Sequence, residues 1–84
     1  MIEVEIAGQK VIVRALKAKA MLDIEEKHEK PRDVNRHVMA ACTFLEGGSP
    51  AFTPEQIEDL DTPDYRRLQS AVWKAHNPAD AKKD

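Results

Sequence analysis

The chain has little of what usually announces chemistry. Its one cysteine, Cys42, leaves no partner for an intramolecular disulfide and fits a reducing compartment. No apolar run approaches the roughly 18 residues of a membrane span, and the N-terminus lacks the basic, apolar, small-residue order of a secretion signal. A cytoplasmic location is therefore expected. Neither sign of charge dominates: thirteen basic and fifteen acidic residues leave a net charge of −2. The charges are mixed along the chain, which argues against nucleic acid or an anionic membrane as partner.

Reactive constellations are equally scarce. His28, His37, His76 and Cys42 are the soft metal ligands, and none of their separations gives the three- or four-residue helical spacing or the CxxC pattern of a zinc site. Asp59, Asp61 and Asp64 do not make a calcium loop, which would need glycine where Asp64 stands. No serine sits in a nucleophile elbow, Cys42 has no base four residues away, and the one Gly-Gly pair lacks the lysine and hydroxyl residue of a phosphate loop. The expectation is a protein that is not an enzyme and that has no metal and no cofactor.

What the chain does have is patterning. Ile2, Val4 and Ile6 alternate with Glu3 and Glu5, and a second run spans Lys10 to Arg14. With Gly8-Gln9 as a two-residue turn, Ile6 would pair with Val11 and Val4 with Val13, leaving a dry face that helices must cover. Met21, Ile24, Ala18 and Ala20 give one face to a helix from about Lys17 to Glu29, ended by Pro31. Asp23 and Glu26 precede Lys27 and Lys30 by four residues, the favourable order for ion pairs. A second helix is expected from an Asp33 cap to just before Gly47, with Val34, Val38, Ala41, Cys42 and Leu45 inward.

Two helix starts then follow nine residues apart. In Thr53-Pro54-Glu55-Gln56, threonine caps, proline opens and glutamine closes a capping box, with Phe52 and Ile57 as a hydrophobic staple. In Thr62-Pro63-Asp64-Tyr65, Thr62 is read as the cap of a last helix running from Pro63 to about His76, with Leu68, Val72 and Ala75 inward. The predicted fold is α+β: an N-terminal antiparallel β-hairpin packed against three to four α-helices, mostly helical. It forms one domain over 1–77, followed by a disordered tail over 78–84. Eleven of the apolar residues are alanines, so the core is expected to be thin and stability modest.

The entry Leu16-Lys17-Ala18-Lys19, Thr43 closing a second helix, the stretch from Phe52 to Ile57, and Leu60, Asp64 and Leu68 in the final pattern carry a resemblance. Over most of residues 2 to 76 the chain resembles the small tail assembly chaperones of long-tailed bacteriophages, although Ala20 stands where that pattern favours an acid. The resemblance implies a non-enzymatic protein, made in the host bacterial cytoplasm and absent from the mature virion. Such a protein binds the tape measure protein, keeps it soluble and helps recruit tail tube subunits. It also implies many weakly associated copies and, through ribosomal slippage near Lys82-Lys83, a longer form that engages the tube protein.

On this reading the expected partner contacts are Phe44, Leu68, Val72 and Trp73, near the edge of a thin core. For Trp73 the competing reading is a residue closing over the hairpin. The competing function is a small helix-turn-helix DNA-binding regulator, using the helix from Pro63 to His76 with Arg66, Arg67, Gln69, Ser70 and Lys74 toward a groove. Glu55, Glu58 and Asp59 would bring the wrong sign to its phosphates.

Overall fold

The computed structural model describes residues 1–77. The expected disordered tail over 78–84 and the expected slippage site near Lys82-Lys83 lie outside them. Strands β1 (Ile2–Ile6) and β2 (Gln9–Val13) form the expected hairpin, followed by helices α1 (Ala18–Lys27) and α2 (Pro31–Cys42). A short strand β3 (Thr43–Phe44) comes next, then helices α3 (Pro54–Glu58) and α4 (Thr62–His76). The sheet is antiparallel in the order β1-β2-β3. The fold is α+β and mostly helical, as the patterning implied.

The hairpin register differs from the expected one. Ile6 pairs with Gln9, Val4 with Val11 and Ile2 with Val13, because the turn is Ala7-Gly8 rather than Gly8-Gln9. Both turn residues have positive φ, 53° and 80°, the signature of a type I′ turn, whose twist matches that of the strands. A slip of two in the pairing preserves the faces. Ile6, Val11 and Val13 are fully buried on one side, with Ile2 and Val4 half-buried beside them.

Pro31 ends α1, but it also opens α2 at the first position, where its missing N–H costs nothing. Asp33 thus lies inside the first turn instead of capping it. α2 stops at Cys42, four residues short of the expected end just before Gly47. The Thr43 hydroxyl donates to the Met39 carbonyl at 2.7 Å, and Thr43 and Phe44 pair with Val13 and Ile12. A β-branched and an aromatic residue suit that strand. The buried face of α2 is Val38, Met39, Ala40 and Cys42; Ala41 is exposed, and Val34 and Leu45 are half-buried.

The capping box of α3 forms in both directions. Gln56 N–H donates to Thr53 Oγ1 at 3.2 Å, and Thr53 N–H donates to Gln56 Oε1 at 2.9 Å. Phe52 and Ile57 are buried on either side of it. For α4 the cap is Asp61, with Thr62 already helical. Leu68, Ala71 and Val72 bury against the hairpin and α2. At about 25 cal/mol per Å² these apolar contacts are the main force holding the layers together.

Candidate protein-interaction groove

Helix α1 differs from the other helices. Its apolar residues Met21 and Ile24 are half-buried, Leu22 is 61% exposed, and no residue of α1 is fully buried. The ion pairs expected from Asp23 to Lys27 and from Glu26 to Lys30 do not form; these side chains are exposed, where holding such a pair gains little over solvent. α1 borders the core through Met21 and Ile24, and an open cleft of about 830 Å³ is lined by residues of α1, the turn after it and α2. Its apolar lining is Met21, Pro31, Val34 and Val38; its acidic wall is Glu25 and Glu29.

A second cleft, about 260 Å³, runs between α2 and α4 and is lined by Met39, Gln69, Trp73 and His76. Met21, Asn35 and Val38 line both clefts, so the two adjoin along α2 as the halves of a groove. Trp73 sits on its rim, 54% exposed. The reading of Trp73 as a lid over the hairpin is thus corrected. In α4, Leu68 and Val72 point at the sheet, and Trp73, one residue and about 100° further on, points into the groove.

Of the four expected contacts, Trp73 alone lies on this groove as an exposed side chain. Leu68 is fully buried and Val72 nearly so. Both belong to the core, because their four-residue spacing matches the face that α4 turns to the hairpin, and Val72 also borders the second cleft. Phe44 lies elsewhere. It pairs with Ile12 on the outer face of the sheet, with the Arg14 guanidinium 5.7 Å from its ring centre. Sequence reasoning had assigned Met21, Val34 and Val38 to buried stripes, so their role as groove lining was missed. The one available signal was the small number of large apolar residues on α1.

The polar groups bordering the groove are mostly committed. Glu58 of α3 receives Arg32 Nε at 2.7 Å and Arg36 Nη1 at 2.9 Å, and Arg36 Nη2 lies 3.3 Å from Asp33. This charge-assisted clamp fastens α3 to α2. Nothing in the sequence foretold it, since the partners are 26 and 22 residues apart. Asn35 Nδ2 donates to Tyr65 Oη at 2.7 Å, which ties α2 to α4. His28 stacks on His37 with ring centres 3.9 Å apart.

Matched against family models, curated proteins and solved structures, the chain finds no counterpart in any of them. Its functional reading therefore rests on its own geometry and on the motif resemblance.

Among the described residues, no group of three or more His, Cys, Asp or Glu side chains is placed to hold a metal. No helix among them is long and apolar enough to cross a membrane. Burial pushes the Cys42 thiol up to about 11, only partly offset by a hydrogen bond from the Leu16 backbone. At neutral pH it is protonated, and the thiol is a poor nucleophile. Of the cationic residues proposed for DNA, Arg67 is engaged within the fold: its Nη1 donates to the Glu5 carbonyl at 2.9 Å and pairs with Asp64 at 3.4 Å. Ser70 and Lys74 lie with it along β1, beside Glu3.

Proposed function

We propose that this protein is a tail assembly chaperone of a long-tailed bacteriophage or prophage, acting in the host cytoplasm without catalysis. It binds helical, aggregation-prone segments of the tape measure protein, keeps them in solution, and yields them to tail tube subunits. Several copies act side by side, each binding weakly, and a slippage-extended form brings the tube protein. The observation that carries the reading is the pair of adjoining clefts between α1, α2 and α4, which share Met21, Asn35 and Val38, with the exposed Trp73 on the rim of the second.

A groove of this kind suits an amphipathic helix, whose residues at i, i+3, i+4 and i+7 enter as anchors. An exposed aromatic at the rim of an apolar cleft is a common centre of binding energy. The open cleft beside α1 favours modest affinity and ready release, because closing on a client costs ordering entropy. The DNA-binding alternative has no comparable support: α3 is five residues long, and Arg67 is tied to β1.

The test is co-expression with the tape measure protein of the same phage. The wild-type chain raises the soluble fraction of the client, and Trp73→Ser or Val34→Ser lowers it while the variant itself stays folded. Unchanged client solubility with both folded variants would reject the reading.

A further inference from the structure

The charged groups of the larger cleft are unevenly committed. Glu25, near the end of α1, and Glu29, two residues beyond that helix, both line it. Among the described residues, neither takes part in an ion pair. The cation in the same lining, Arg32, is spent on Glu58, with contacts of 2.6 and 2.7 Å. Two uncommitted carboxylates therefore stand beside the apolar lining of Met21, Val34 and Val38.

We propose that the segment this groove accepts is an amphipathic helix with basic residues along one flank of its apolar stripe. The inference rests on the reading of the groove as the client site, and it adds chemistry and orientation. With the apolar stripe of such a helix on Met21, Val34 and Val38, lysines or arginines on that flank face Glu25 and Glu29. The reversed direction moves the basic flank away from these carboxylates. Charge complementarity of this kind fixes register and direction more than raw affinity. It also excludes segments whose flanks are acidic, since like charges would meet at the wall.

Trp73 is the single tryptophan of the chain, so its emission reports occupancy of the groove without a label. The probes are three tryptophan-free synthetic peptides of about four helical turns. They share a leucine stripe and carry two lysines, two glutamines or two glutamates on one flank. At low salt the lysine peptide binds about five- to tenfold tighter than the glutamate peptide, with glutamine between, and the gap closes at high salt.

The double variant Glu25→Lys/Glu29→Lys inverts the order. Glu3→Lys/Glu5→Lys makes the same change in net charge on the outer face of the sheet and keeps the wild-type order. Equal affinity of all three peptides, or an order that follows net charge in both double variants, overturns the inference and leaves the groove reading standing. No response of Trp73 to any of the peptides at millimolar concentration removes the groove reading itself, and this inference with it.

Discussion

His76 Nε2 accepts the backbone N–H of Leu16 at 3.0 Å, across sixty residues of sequence, while its Nδ1 lies 2.8 Å from the Val72 carbonyl. The carbonyl can only accept, so Nδ1 carries the proton and Nε2 is free to receive. A helix end thereby holds the segment that leads into α1, the helix without a fully buried residue.

His76→Ala removes that acceptor and leaves the half-buried N–H only the weak sulfur acceptor of Cys42. The expected cost is about 1 to 2 kcal/mol, or roughly 5 to 10 °C in Tm for a domain of this size. Amide exchange at Leu16 rises with it. A melting curve and a hydrogen-exchange measurement that both match the wild type would show that the bond does not anchor α1.

The hairpin turn offers a gain in stability. Ala7 holds a left-handed conformation at φ 53°, which costs an L-residue with a Cβ about 1 kcal/mol or more. Asparagine tolerates it best after glycine, and Asn-Gly is the preferred type I′ pair. Ala7→Asn is expected to stabilise by about 0.5 to 1 kcal/mol, and Gly8→Ala to destabilise by about 1 kcal/mol. Urea unfolding of the two variants checks both signs.

These turn residues also show where the sequence was legible and where it was not. A glycine can serve at either central position of a two-residue turn, so Gly8 announced the turn but not which neighbour shared it, and the register followed from that choice. The capping box of Thr53 and Gln56 is a local device and was readable as written. The end of α2 was not, because Thr43 and Phe44 leave the helix to pair with Val13 and Ile12 about thirty residues away. The same holds for the site. Helical spacing grouped Leu68 with Val72 correctly, but which face met the sheet and which met the groove depended on where the hairpin lay. The Glu58 clamp, built across separate elements, left no trace in local pattern.

Cys42 gives a pH dependence with a definite sign. Its folded value, about 11, lies above its ordinary value of 9.0, so the folded state keeps a proton that the unfolded state loses first. The corresponding stability is fully present below about pH 9 and is lost as pH rises to about 11, on the order of 2 to 3 kcal/mol at the upper end. Comparing wild type with Cys42→Ala isolates this slope from the titration of lysines and the tyrosine. Iodoacetamide should label native Cys42 far more slowly than the unfolded chain at pH 8; equal rates would contradict its burial.

Two residues of α4 separate stability from binding. Leu68 is fully buried, so Leu68→Ala leaves a cavity and should cost about 2 to 5 kcal/mol, a large part of the stability of a small domain. Trp73 is 54% exposed on the groove rim, and Trp73→Ser should cost less than about 1 kcal/mol. Any loss of client solubility with Leu68→Ala then follows its own unfolding and disappears at lower temperature. The loss with Trp73→Ser persists at every temperature at which the chain is folded, because the missing group belongs to the groove and not to the core. Melting curves of the two variants beside co-expression at two temperatures distinguish these behaviours. A Trp73→Ser protein that melts like the wild type and protects its client equally well would place the binding surface elsewhere, with the outer sheet face around Ile12 and Phe44 the next apolar surface to test.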